Sequence, residues 1–266
     1  MEIIDLLGYF GALAIGIVLG LIGGGGSILT VPILVYIFSI NPVTATAYSL
    51  FVVGTSSLVG TLNSLKKRLV DFRTALIFAI PAFTAVYITR KYLVPAIPEL
   101  IYNSGNIVLT RDIAIMFFFA VIMILAAVSM LKRNRKNSTQ NAEIQFRTSI
   151  LCLQGFVVGL VTGLVGAGGG FLIIPALVLL AKLPMKRAIA TSLFIISMNS
   201  LIGFTGDLQN RAIDWPFLLV FTGIAISGIF IGAYLNRYIN NNKLRKIFGW
   251  FILIMGIYII WKELSL

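Results

Sequence analysis

The sequence has no histidine and a single cysteine, Cys152. The first absence removes the side chain that most often acts as a general acid or base near neutral pH, and the commonest metal ligand. The second excludes an internal disulfide. Charge is scarce too: 11% of the 266 residues are charged, and only nine are acidic. No Asp or Glu falls in the middle of a long apolar stretch, where it would coordinate a cation or relay a proton. Lacking histidine and any buried acid/base pair, the chain reads as a non-enzyme that needs no cofactor and no metal. Basic residues are also missing from Met1 to Asp5, so the basic start of a cleaved signal peptide is absent and this segment is expected to belong to the mature chain.

What the chain has in abundance is apolar surface. It is 59% hydrophobic with a mean hydropathy of +1.00, far from the composition of soluble domains. The net charge of +12 does not point to nucleic acid. Nucleic-acid binders gather Lys and Arg on one face of a polar chain; here apolar stretches separate them, as expected of charges flanking membrane spans. A hydrocarbon layer of about 30 Å takes about 20 apolar helical residues to cross. Six stretches come close to that: 43–65, 72–93, 113–131, 185–205, 215–238 and 244–261.

Two further stretches, 3–40 and 150–182, are too long for one span and are broken by glycine, at Gly23-Gly24-Gly25-Gly26 and at Gly166-Ala167-Gly168-Gly169-Gly170. Glycine costs a helix about 1 kcal/mol relative to alanine, so each run is expected to open the helix and make a bent hairpin. The arms after the breaks, 27–38 and 171–181, carry Pro32 and Pro175 and are too short to cross unaided. Only 95–111 and 132–147 are polar enough for loops. The expected division is a first membrane repeat over 1–131, a cytoplasmic linker over 132–146 and a second membrane repeat over 147–266.

The repeat is visible directly. Sliding the chain along itself lays Gly16 to Asp71 on Gly159 to Asp214 without a gap. This single register matches Gly20 with Gly163, Gly23 with Gly166, Gly26 with Gly169, Pro32 with Pro175, Ser49 with Ser192, Ser57 with Ser200, Arg68 with Arg211 and Asp71 with Asp214. If each broken stretch returns to its starting side, the halves are inverted, with sixteen basic residues on one side and five, Arg90, Lys91, Arg111, Arg211 and Lys262, on the other. If each crosses once, the halves are parallel and the split is eleven to ten. The positive-inside rule favours the inverted arrangement, with both termini extracytoplasmic in a cell membrane. The expected fold class is therefore an all-α integral membrane protein of two inverted-topology repeats, each a glycine-broken helical hairpin followed by three transmembrane helices.

Inverted repeats with broken helices recur in transporters, because two similar halves facing opposite ways provide two states of similar energy. Backbone freed at a break persists only where protein, water or a ligand covers it. The breaks are expected to present helix N-termini, which favour an anion, through Gly24, Gly25, Gly26 and Ser27 in one half and Gly168, Gly169 and Gly170 in the other. Ser49 and Ser56, then Ser192, Asn199 and Ser200, add neutral donors at matched depths. Competing readings stand beside this one. Glycine clusters also make close-packing surfaces, and helical Ser and Thr often bond back to their own helix. Arg68 with Asp71 and Arg211 with Asp214 read as ion pairs or helix caps, with gating as the alternative. The GGGGS run is no phosphate loop, since no Gly-Lys-Ser/Thr follows it.

The segments GLIGGGGSILTVPIL followed by TATAYSLFVVGTSS, and the second copy GLVGAGGGFLIIPAL followed by AIATSLFIISMNS, resemble the sulfite exporter TauE/SafE family over nearly the whole chain. The resemblance implies a permease of the cytoplasmic membrane for sulfur-containing oxyanions such as sulfite or small organosulfonates. The expected partners are a small anionic substrate and the lipid bilayer, not nucleic acid, and a homodimer is an open assembly. A carrier of another small organic anion such as a carboxylate, a passive anion channel and a non-transport scaffold remain as alternatives. The second break reads GAGGGF where the first reads GGGGSI, so the half-sites need not be equivalent.

Overall fold

The computed structural model describes residues 3–264 apart from 105–106, 133–147, 167, 180, 182, 209–212, 237 and 239–240. The expected linker beyond Lys132, which instead ends α6, lies outside the described residues, as do Ala167 of the second break and Arg211. In chain order the elements are α1 (Ile3–Ile22), a 3-10 helix (Gly24–Leu29), α2 (Thr30–Tyr36), α3 (Pro42–Lys66), α4 (Phe72–Ile88) and a π-helix (Thr89–Leu93). Then come α5 (Val94–Ala96), β1 (Leu100–Ser104), β2 (Ile107–Thr110) and α6 (Arg111–Lys132). The second half holds α7 (Thr148–Val165), α8 (Gly170–Leu179), α9 (Met185–Asp207), α10 (Trp215–Leu235) and α11 (Asn241–Leu264).

Local chemistry sets these boundaries. Asn41 precedes Pro42 and its Oδ1 accepts from the Val43 N–H at 3.0 Å, so α3 starts with both a capping side chain and a proline at its first turn. It ends where Arg68 takes a positive φ of 53° and its N–H bonds the Leu65 carbonyl at 2.9 Å. The carboxylate of Asp71 accepts from the Thr74 N–H at 3.0 Å to open α4, and that of Asp214 accepts from the Phe217 N–H at 3.2 Å to open α10. The two repeated aspartates are thus helix caps. Segment 95–111, read from sequence as a loop, instead forms the antiparallel pair β1 and β2, closed by the Arg111 N–H donating to the Glu99 carbonyl at 3.0 Å.

Among the described residues, four helices are long and apolar enough to cross a membrane, Pro42–Lys66, Phe72–Ala96, Lys186–Asp207 and Trp215–Leu235. α6 and α11, of 22 and 24 residues, cover the other two stretches expected to span. The distribution of polarity is that of a protein in lipid rather than water. Phe230 is 56% exposed and Leu219 57%, whereas Ser56, Ser57, Asn199 and Ser200 are wholly buried. In water this arrangement would bare large apolar side chains while burying hydroxyls and an amide, so it is stable only in an apolar solvent.

The two halves exchange partners when they pack. α1 lies on α10 and α7 lies on α4; α3 packs on α9 and α6 on α11. Glycine makes the first two contacts intimate. A methyl group on Gly16 would collide with the Ala225 backbone, and one on Gly159 with the Ala82 backbone, so equivalent positions of the two repeats make the same contact. Close approach of this kind drives helix association where the solvent offers no hydrophobic contrast. Between α3 and α9, Leu50 meets Gly203, Gly54 meets Leu201 and Gly60 meets Leu193, an antiparallel register.

Candidate functional site at the glycine breaks

Both hairpins bend at the glycine expected from the repeat. Gly23 has φ 80° and Gly166 φ 72°, and each N–H still bonds the carbonyl four residues back, Leu19 or Thr162, at 2.8 Å. An L side chain rarely tolerates that φ. Beyond this point the halves differ. Gly24, Gly25, Gly26 and Ser27 wind into the 3-10 helix, where Ser27 Oγ donates to the Gly24 carbonyl at 2.7 Å. Gly168 and Gly169 instead stay at positive φ, 65° and 66°, before α8 begins at Gly170. Two consecutive left-handed residues are possible because both are glycine. Their counterparts Gly25 and Gly26 need no such freedom.

The breaks meet. Gly24 and Gly170 approach so closely that neither backbone leaves room for a side chain on the other, and Ile196 closes over both. A side chain on Gly23 would run into Ser192 and Ile189 of α9, and one on Gly168 into Val53 of α3 and Ser200 of α9. Gly23, Gly24, Gly168, Gly170, Ser192 and Ser200 therefore belong to one junction between the halves. Gly26 and Gly169 face elsewhere: the first packs on Leu19 and Ile15 of α1, the second on Thr162 and Val158 of α7.

The hydroxyl and amide groups divide in the same way. Ser192 Oγ bonds back to the Ile189 carbonyl at 2.8 Å, and Ser197 Oγ to that of Phe194 at 2.8 Å. Among the described residues, Ser49, Ser56, Ser57 and Ser200 have hydroxyls without a hydrogen-bond partner, and neither side-chain polar atom of Asn199 has one. All five are wholly buried. Leaving such a group unpaired costs about 1–3 kcal/mol, so five on two adjacent helices form a substantial polar reserve. They are neutral and include both donors and acceptors, and they lie on the helices that flank the breaks.

A charged pair was not legible in the sequence. Arg90, expected to be one of the charges flanking a span, is wholly buried; its Nη1 lies 3.4 Å from Asp207 Oδ2 and donates to Thr46 Oγ1 at 3.0 Å. The expectation fails because the π-helix Thr89–Leu93 continues α4 past its last α-helical turn and carries Arg90 between the ends of α4 and α9. Thr46 is also the residue against which Gly166 packs, so the guanidinium stands one side chain away from the second break. An ionisable residue inside a membrane span is costly to keep, and it is the signal that marks a functional position.

Paired broken helices, neutral buried donors and a lipid-suited exterior define an integral membrane protein of transporter type. The chain belongs to the sulfite exporter TauE/SafE family, whose model matches residues 9–259. It is 28% identical over 256 residues to a probable membrane transporter protein of Xylella fastidiosa (strain 9a5c), covering 94% of this chain and 92% of that one. It is 27% identical over 270 residues to the probable membrane transporter protein YunE of Bacillus subtilis, covering 93% and 94%. A shorter match, 32% identical over 115 residues, covers 41% of this chain and 43% of the probable membrane transporter protein MJ0441 of Methanocaldococcus jannaschii. No solved structure matches the chain significantly.

Proposed function

We propose that this protein is a secondary transporter of a small sulfur-containing oxyanion, sulfite or an organosulfonate, and that it works by alternating access between two inverted repeats. The observation that carries the reading is the junction of the breaks at Gly24 and Gly170, flanked by the buried and unpartnered groups of Ser49, Ser56, Ser57, Asn199 and Ser200. Serine hydroxyls and an amide N–H are suited to an oxyanion, and the start of α8 at Gly170 adds backbone N–H groups and the positive end of a helix dipole. A neutral donor set of this kind binds an anion without trapping it, as a carrier requires.

Inversion is supported by the register of the helices. α3 and α9 occupy the same place in the two repeats yet pack antiparallel, through Leu50 with Gly203 and Gly60 with Leu193, the same pair read from either half. α1 runs alongside α10 in the same direction, since Gly16 meets Ala225 and Gly20 meets Ile229. The equivalent helices α7 and α4 do likewise through Gly155 with Phe78 and Gly159 with Ala82. A chain that turns back at each break satisfies all three directions; one that passes straight through does not. With the basic residues assigned to the cytoplasm, both termini are extracytoplasmic and the protein sits in the cell membrane.

The test is binding followed by flux. Sulfite, sulfate, taurine, sulfoacetate and acetate are titrated against purified protein, reading thermal stabilisation, and the binders are then used in counterflow with proteoliposomes. Stabilisation by sulfite or a sulfonate with counterflow of the same anion is the expected result. Stabilisation by acetate alone would move the substrate to the carboxylates, and flux without counterflow would make the protein a channel.

A further inference from the structure

The ion pair of Arg90 and Asp207 joins the π-helix that follows α4 in the first half to the end of α9 in the second, beside the second break. Its first explanation is structural: the pair ties two helix ends together. The repeat contains a control for that explanation. In the register that pairs Gly23 with Gly166, the positions of Arg90, Asp207 and Thr46 correspond to Ala233, Ser64 and Ile189. The corresponding junction, α10 against α3, is built at the other end of the molecule with no charge at these three matched positions. Holding these helices together therefore does not require an ion pair, and burying one in place of apolar residues is usually neutral at best for stability.

Position gives the pair another use. Arg90 Nη1 donates to Thr46 Oγ1 at 3.0 Å, and Thr46 in turn lies against Gly166, whose positive φ makes the second break. A π-helical segment, a form frequently found at functional sites, spans Thr89–Leu93 and holds the arginine there. The guanidinium is a planar fork of N–H donors that matches an oxyanion as well as it matches a carboxylate. Its contact with Asp207 at 3.4 Å is longer than the usual charge-assisted hydrogen bond of about 2.7–2.9 Å.

We propose that Arg90 is an anion-binding residue at one end of the transport path, and that Asp207 is its exchangeable counter-ion, which a sulfur oxyanion displaces on reaching the second break. The proposal rests on the reading of the protein as an anion transporter. The neutral donors at the junction hold the anion in mid-path, and Arg90 adds a formal positive charge at one end. The two ends of the path are then chemically unequal, although the halves share one fold.

The test compares sulfite titrations of the full chain, purified in detergent, in three variants. Asp207→Asn removes the competitor and is expected to lower the sulfite Kd about tenfold; Arg90→Gln is expected to raise it by at least about tenfold. Arg90→Gln/Asp207→Asn removes both charges of the pair together, so it is expected to fold as the parent does and to bind sulfite as weakly as Arg90→Gln. A merely structural pair gives a different pattern: Asp207→Asn lowers stability without tightening binding, and the double variant binds sulfite like the parent. Either of those results overturns the proposal. If the parent itself responds to none of the sulfur oxyanions, the transport reading falls and takes the proposal with it. A responsive parent with variants that fail to diverge in sign removes only Arg90 from the path.

Discussion

Replacing Gly24 with alanine tests whether the two breaks must touch. Gly24 lies in the 3-10 helix at an ordinary negative φ, so alanine is conformationally acceptable there and gains about 0.5–1 kcal/mol over glycine. Against this, its methyl group would fall inside the Gly170 backbone and 2.5 Å from Ile196 Cδ1. Ile196 is wholly buried and has little room to turn, and a backbone carbon cannot turn at all, so relief requires one break to retreat from the other. Overpacking of this kind costs about 1–3 kcal/mol. With backbone as the obstacle the upper part of that range applies, and the net loss is about 1–2 kcal/mol once the alanine gain is subtracted. The matched control is Gly223→Ala in α10, where, among the described residues, nothing beyond its own stretch of helix lies within 4 Å of the added methyl. Thermal unfolding in detergent and sulfite flux per folded molecule in proteoliposomes are measured for both. Gly24→Ala is expected to melt earlier than the parent and to lose flux per folded molecule, since the breaks are held apart in the protein that remains folded. Gly223→Ala is expected to keep both. If Gly24→Ala melts and transports like Gly223→Ala, contact between the breaks is dispensable and the junction is not the site.

Asn199→Leu removes both unpartnered amide atoms from a buried position, so it is expected to raise the melting temperature while abolishing stabilisation by sulfite; lowered stability with binding intact would show that the amide is structural. Gly159→Leu places a branched side chain against the Ala82 backbone between α7 and α4, and the yield of folded protein in size-exclusion chromatography should collapse. Asp71→Ala and Asp214→Ala each remove a helix cap, at a cost of about 1 kcal/mol. Similar small drops in melting temperature are expected from both, with flux retained, whereas a selective loss of flux would restore a gating role.

Much of the fold was legible because glycine, proline and capping residues act locally. The bends at Gly23 and Gly166 and the extents of α3, α4, α9 and α10 follow from residues within a few positions of each boundary. What the sequence concealed depends on neighbours distant in the chain. Gly16, Gly20, Gly159 and Gly163 were visible as repeat matches, but nothing in the sequence assigned them the partners Ala225 and Ile229 on α10, Ala82 on α4 and Thr89 in the π-helix. The same limit applies to Gly26 and Gly169. Their register in the repeat is that of a break, while the side of the hairpin they face is set by α1 and α7 folding back over them. Arg90 was concealed for a different reason. A helical continuation of the π type shifts the face on which a residue emerges, and no residue in Thr89–Leu93 announces it.

The same exchange of partners suggests how two states stay close in energy. At one end of the molecule the Asp71 N–H donates to Thr191 Oγ1 at 3.0 Å; at the other the Asp214 N–H donates to Tyr48 Oη at 2.7 Å. The two bonds are equivalent by the repeat, since Tyr48 and Thr191 occupy matching positions in the two halves, as do Asp71 and Asp214. Each ties the loop before α4 or α10 to the opposite half with about 0.5–1.5 kcal/mol. On the alternating-access reading, opening either end breaks one such bond, so these ties cancel in the difference between states and leave the balance to whatever is unequal. The charged pair of Arg90 and Asp207, opposite Ala233 and Ser64, is such an inequality. On that reading the duplicated fold supplies the two states, and substitution within one copy sets the preference between them.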